Sequence, residues 1–194
     1  MFIRVFNAKI KLYSCGMKKS LFISLTLSIL SFTACEESDL SINFDLTQAD
    51  IEFTLSAADV VNSNGETVEI YTPAQSTLTG DMEQYADKLN KVESAKLSAL
   101  RLSIVAPTTQ KFSFVKEVKF YITGTGIPET LVGSKSNIDA TASSVDLDIE
   151  DVELVEFIRS GEVSTRVSFM TNEGIDEDCD MKAEMTYTIR ANAL

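Results

Sequence analysis

Three aspartates, Asp176, Asp178 and Asp180, stand at alternate positions in the stretch DEDCD. A D-x-D-x-D spacing suits a hard cation such as calcium, which collects several carboxylate and carbonyl oxygens from one short loop. The EF-hand loop built on that spacing also needs glycine at its sixth position and glutamate at its twelfth. Counted from Asp176, those positions hold Met181 and Tyr187. The spacing therefore supports only a looser surface calcium site, beside the plainer expectation of a solvated acidic turn before the last strand. No other cofactor is expected. Cys179 lies between Asp178 and Asp180. Negative neighbours raise a thiol pKa, which makes it a poor nucleophile.

A second acidic row, Asp146, Asp148 and Glu150, alternates with Val145, Leu147 and Ile149. That alternation reads as the wet face of one strand, and acids there discourage edge-to-edge aggregation. A glycosidase needs two carboxyls about 5–10 Å apart across a cleft, one with a raised pKa. No acid in this chain sits in an apolar context that would raise it. Histidine and tryptophan are both absent. The first absence excludes Ser-His-Asp and Cys-His catalysis and removes the commonest zinc ligand. The second leaves Tyr71, Tyr121 and Tyr187 as the rings a sugar could stack on. Tyr187 falls on an inward register; Tyr71 and Tyr121 fall outward, where cross-strand packing is the plainer role.

The chain has 194 residues with 44% hydrophobic and 24% charged side chains, a globular balance with room for a sizeable core. Its net charge of −12 is unevenly spread. Residues 1–34 hold five basic side chains (Arg4, Lys9, Lys11, Lys18, Lys19) and no acid; the remainder keeps twelve positive against 29 negative charges, a net of −17. Such a surface repels phosphate backbones and anionic lipid, so no nucleic-acid partner is expected.

From Met17 the sequence reads MKKSLFISLTLSILSFTAC. Lys18 and Lys19 form a basic n-region, and Leu21 to Phe32 form an apolar run of twelve residues. That is short of the roughly 20 residues a membrane-spanning helix needs, which favours a cleaved signal. Small residues Thr33 and Ala34 then precede Cys35. This resembles the lipobox of bacterial lipoproteins, although Phe32 stands where leucine is usual. The resemblance implies that Cys35 is diacylated and becomes the new N-terminus. Acyl chains contribute about 0.8 kcal/mol per buried CH₂, so several on one cysteine anchor stably. Glu36, Glu37 and Asp39 follow at once. This cluster resembles the export signal that sends lipoproteins to the outer surface in some Gram-negative groups, and it also fits a simple solvated tether. The implied location is the outer membrane, at its cell-surface or periplasmic face. Residues 1–16 read as an upstream extension, 17–34 as a lipoprotein signal peptide, 35–41 as a tether, and 42–194 as a single domain.

Period-2 patterning runs through that domain. Ile51, Phe53 and Leu55 share one face, as do Leu100, Leu102 and Ile104, with Pro107 ending the run. Phe112, Phe114, Val118, Phe120 and Ile122 occupy even positions, with Lys116 and Lys119 suggesting a bulge. Val163, Thr165, Val167 and Phe169 align, and so do Met181, Ala183, Met185, Tyr187, Ile189 and Ala191. Asn64-Gly65 predicts a hairpin returning through TVEIYT. Two stretches carry helical spacing instead, GDMEQYADKLNKV and DVELVEFIRSG. The expected fold is all-β: an antiparallel two-sheet sandwich, immunoglobulin-like, with one or two short helices. The expected role is a lipid-anchored, non-catalytic module binding a glycan, peptide or protein in its end loops, near GTGIPE or DEDCD. An assembly subunit of an outer-membrane complex and a carboxylate-based hydrolase are the alternatives.

Overall fold

Alternation of inward and outward residues, complete in β2 and β10 and broken by bulges or short runs in the longer strands between them, underlies the sheets. In chain order they are β1 (Ser41–Thr47), β2 (Ile51–Leu55), α1 (Ala57–Ser63), β3 (Thr67–Gln75), β4 (Val92–Ala106), β5 (Val115–Gly124), β6 (Ile127–Ser136), β7 (Ser144–Asp146), β8 (Asp148–Ile149), α2 (Val155–Ser160), β9 (Val163–Thr171) and β10 (Cys179–Asn192). The structure is a computed structural model that describes residues 41–47, 50–63, 66–75, 91–160 and 163–192. These belong to one compact unit, Leu40–Leu194. The leader, Cys35, Glu36, Glu37 and Asp39 lie outside the described residues, as does most of GDMEQYADKLNKV.

The strands form two five-stranded sheets, every pairing antiparallel. In sheet 1, β1 and β2 lie end to end along one side of β10, β4 lies on its other side, and β7 pairs beyond β4. Sheet 2 runs β3-β9-β5-β6-β8. The all-β two-sheet sandwich with short helices is thus the architecture of this chain. Its strand order pairs the first and last strands antiparallel.

The core lies between the layers. Phe112, Phe114, Phe120 and Phe169 are wholly buried, together with Leu100, Leu102, Met181 and Met185. Phe53 of sheet 1 and Phe169 of sheet 2 meet across the interior with ring centroids 6.3 Å apart. Each such side chain contributes about 1.5–3 kcal/mol relative to exposure. The bulge suggested near Lys116 is present: pairing between β5 and β9 slips between Val115 and Glu117, so Lys116 is extruded. Val115 is therefore buried on an odd position, while Val118, Phe120 and Ile122 are buried on even ones.

The hairpin expected at Asn64-Gly65 does not form. Those two residues lie outside the described ones, but the flanking strands belong to different sheets, β2 beside β10 and β3 beside β9. The preceding AADVVNS folds as α1 instead. Its first amide, on Ala57, donates to Asp178 Oδ1 at 2.9 Å, and its one buried side chain, Val60, docks into the core. A cap and an apolar anchor supplied by the rest of the fold outweigh the local turn preference. DVELVEFIRSG does yield the expected helix, α2, whose Val155, Phe157 and Ile158 are buried.

One side of the sandwich is closed by a chain that changes sheets. β7 pairs with β4 in sheet 1, and two residues later β8 pairs with β6 in sheet 2. Leu147, between them, is buried and donates its amide to Leu100 O at 2.9 Å. Gly133 on β6 allows this close approach, because a Cβ there would stand 3.0 Å from Leu100 Cδ2.

Candidate binding face on the outer side of sheet 2

On sheet 2, Ile70, Val167 and Phe120 point inward, so their neighbours Tyr71, Arg166 and Tyr121 must point out. Register sets these three in one row across the strands: Tyr71 opposite Arg166 in the β3–β9 pair, and Tyr121 opposite Arg166 in the β5–β9 pair. Leu131 on β6 continues the row beside Tyr121.

Arg166 is the hub. Its guanidinium carbon stands 3.9 Å from the centroid of the Tyr121 ring, a stacked cation–π arrangement. Nε and Nη2 donate as a fork to the two carboxylate oxygens of Glu129, both at 2.7 Å. Nη1 donates to Glu69 Oε1 at 2.8 Å, and Glu69 Oε2 accepts the Tyr71 hydroxyl at 2.8 Å. Only 14% of the Arg166 side chain is exposed, whereas Tyr71 is 68% exposed. The hydrogen bond from Arg166 holds the Glu129 carboxyl below its ordinary pKa. Hydrogen bonding to Glu69 pushes the Tyr71 hydroxyl up, and that to Glu129 pushes the Arg166 guanidinium further up. The result is an ion-paired plate with one exposed aromatic ring hydrogen-bonded to its edge.

The other outer face, on sheet 1, is laced with separate ion pairs. Arg101 forks onto Asp146 at 2.7 and 2.9 Å, Lys182 reaches Asp50 and Glu184, and Arg190 reaches Glu93. The acidic row read from the sequence is divided between the sheets: Asp146 serves Arg101, Asp148 accepts from Lys135 at 2.9 Å, and Glu150 is exposed. Every described carboxyl with a displaced pKa (Glu129, Asp139, Asp146 and Glu153) is displaced downward.

The three aspartates of DEDCD are turned to different partners. Asp178 caps α1, Asp180 Oδ1 accepts the Thr54 hydroxyl at 2.7 Å, and Asp176 is exposed. Among the described residues no group of three or more His, Cys, Asp or Glu side chains is placed to hold a metal. Cys179 is buried, and its thiol is pushed up to about 11, by burial first and by Asp180 second. Tyr187 is buried as its register predicts. The turns GTGIPE and DEDCD, both read as ligand loops, stand at opposite ends of sheet 2: Gly124 pairs with Val163 at the start of β9, and DEDCD follows its end at Thr171.

Arg166, Glu69 and Glu129 were not singled out in the sequence. The available signal was weak: one arginine in a strand whose other outward positions carry serine and methionine. Its partners lie 97 and 37 residues away, and only the register brings them together.

No family model matches the chain, and no curated protein matches it. Among solved structures the chain is similar to one titled Desmodium yellow mottle tymovirus, with 8% identity, 92% of this chain and 98% of that chain covered, and a TM-score of 0.25. A likeness of that degree carries no weight for function.

Proposed function

We propose that the chain is a lipid-anchored outer-membrane lipoprotein whose β-sandwich is a non-catalytic binding module, presenting the outer face of sheet 2 to its ligand. The single observation that carries the binding role is Tyr71. A large ring with 68% exposure is held in one orientation by the Glu69–Arg166–Glu129 network. Preorganised aromatic side chains bind with little entropic loss, which is why they dominate recognition surfaces. The anchor is read from Cys35 behind its apolar run, and the acidic Glu36, Glu37 and Asp39 fit display at the cell surface. A hydrolase is less well supported, because it needs a carboxyl raised toward neutrality and the displaced ones lie below their usual range.

The test has two parts. An alkyne-tagged fatty acid fed to expressing cells should label the full-length chain and leave Cys35→Ala unlabelled. A benzophenone amino acid placed at Tyr71 should capture an envelope component on irradiation, whereas the same group at Lys96, on the outer face of sheet 1, should not. Equal capture at both positions, or none at Tyr71, overturns the binding face.

A further inference from the structure

Most of the charges of this face are spent on one another. Glu69 and Glu129 are both held by Arg166, and Glu117 pairs with Lys119 at 3.0 Å. Lys116, extruded by the bulge, is exposed and stands outside these pairs, but one cation at the end of the face gives a charged peptide little to follow, so steering by charge is weak. An apolar protein surface fits poorly too. Of the large hydrophobic side chains exposed among the described residues, only Tyr71 and Met170 lie on this face, far short of the apolar centre a protein interface needs.

What remains has a particular chemistry. Tyr71 offers a fixed ring, and the oxygens of Glu69 and Glu129 keep lone pairs beyond those used by Arg166 and Tyr71. Thr67 adds a hydroxyl at an outward position of β3, and Thr123, whose hydroxyl donates to Ile127 O at 3.3 Å, keeps lone pairs that can accept. A pyranose is complementary to this arrangement. Its C–H face packs on the electron-rich face of an aromatic ring, and its rim of hydroxyls donates to carboxylates and accepts from hydroxyls. The plate extends from β3 through β9 and β5 to β6, four strands and so about 14 Å between the outermost. That breadth suits a chain of several sugars better than a single one.

We infer that the ligand of this face is a neutral, extended glycan lying across the strands of sheet 2, with one sugar stacked on Tyr71 and its neighbours hydrogen-bonded along the Glu69–Arg166–Glu129 plate. The inference rests on the binding-face reading above and adds the ligand class to it. Arg166 and Tyr121 are positioning residues here: the guanidinium covers the Tyr121 ring, so Tyr121 fixes Arg166 and leaves stacking to Tyr71.

Affinity electrophoresis of the full-length chain in detergent tests this, using gels cast with hydroxyethylcellulose, xylan or mannan. At least one of these neutral polysaccharides should retard the protein. Tyr71→Ala should weaken retardation about tenfold, as truncation of an aromatic anchor does. Tyr71→Phe, which keeps the ring, should retain most of it, and Lys96→Ala should be unchanged. Tyr71 is exposed, so its variants fold, and an unchanged circular dichroism spectrum checks that. Retardation by none of the three, or retardation that Tyr71→Ala leaves intact, overturns the glycan. Should the benzophenone at Tyr71 still capture a protease-sensitive partner, the binding face stands and the glycan alone fails.

Discussion

Glu153 stands in for a strand along the open part of β4. Its Oε1 accepts the backbone amide of Ala95 at 2.6 Å, and its Oε2 accepts the Ser94 hydroxyl at 2.8 Å. One residue on, the amide of Leu154 donates to Ala95 O at 2.8 Å. β7 pairs only with Arg101–Ser103, so on the side of β4 away from β10 Ala95 takes its hydrogen bonds from this side chain and the backbone beside it. A carboxylate is thereby used as edge protection, satisfying an amide that a free edge would offer to another chain.

Replacing Glu153 with alanine should lower stability by about 1 kcal/mol at pH 7, the net worth of the lost hydrogen bonds. Burial pushes the Glu153 carboxyl up, but the bonds from Ala95, Ser94, Leu154 and Val155 outweigh it and leave the pKa lowered. A lowered folded pKa means stability that is present above the unfolded carboxylate pKa and lost as pH falls through the folded one. The difference between wild type and Glu153→Ala should therefore be full at pH 6–7 and shrink below about pH 4. Urea midpoints across that range measure it. A gap that stays constant or widens in acid would contradict the assignment.

Gly133→Ala and Gly126→Ala should both destabilise, for different reasons. At Gly133 a Cβ would press on Leu100 Cδ2 at 3.0 Å, with Leu147 Cβ and Asp148 O at 3.4 Å. Overpacking where the two sheets close together costs about 1–3 kcal/mol. At Gly126 nothing lies within 4 Å, but φ is +75°, so the cost is conformational, about 1 kcal/mol. Following Gly133→Ala with Leu100→Val should recover part of the first loss and none of the second. Thermal melts of the single and double variants separate the two causes.

Cys179 should resist thiol reagents in the folded protein. The side chain is wholly buried and its pKa stands at about 11, so at pH 8 about one thiol in a thousand is ionised. In a chain with Cys15 and Cys35 replaced by serine, Ellman's reagent should report no thiol under native conditions and one after addition of denaturant. Rapid native labelling would place Cys179 at the surface.

The strands were legible in the sequence because each has one face in the core. β10 follows its alternation from end to end and β9 departs from it only at the buried Ser168, and even the bulge is foreshadowed by Lys116, a charged residue on an even position of an otherwise apolar phase. What the sequence concealed depends on partners far away in the chain. Asn64-Gly65 is a strong local hairpin signal, yet α1 forms beside it because Asp178 caps the helix from the β9–β10 turn. SVDLDIE has the pattern of one strand, and nothing local marks Leu147 as the point where it passes from sheet 1 to sheet 2. The proposed binding face was half visible. Alternation alone turns Tyr71 and Tyr121 outward, but neither Arg166 nor its two glutamates can be assembled without the pairing register of four strands.

Arg166 is where the fold and the proposed function are most tightly coupled. Arg166→Met removes the charge that Glu69 and Glu129 share and leaves two carboxylates facing each other over Tyr121. A fully buried pair broken this way costs about 3–5 kcal/mol, and the 43% and 40% exposure of the two glutamates reduces that to about 1–2 kcal/mol. The sign with pH follows from Glu129, whose pKa Arg166 lowers. The stabilisation is present above the ordinary carboxylate pKa and is lost as pH falls through the lowered one, so the two proteins should converge toward pH 3. Arg166→Lys distinguishes geometry from charge. Lysine keeps the cation but cannot form the fork onto Glu129 while also reaching Glu69 and lying flat on Tyr121. Its stability at pH 7 should fall between wild type and Arg166→Met. Its retardation by the neutral polysaccharide should drop nearly as far as that of Arg166→Met, because Glu69 would no longer be held in place to orient Tyr71. If Arg166→Lys keeps full binding, the plate acts through charge alone and the preorganisation of Tyr71 by Arg166 is refuted.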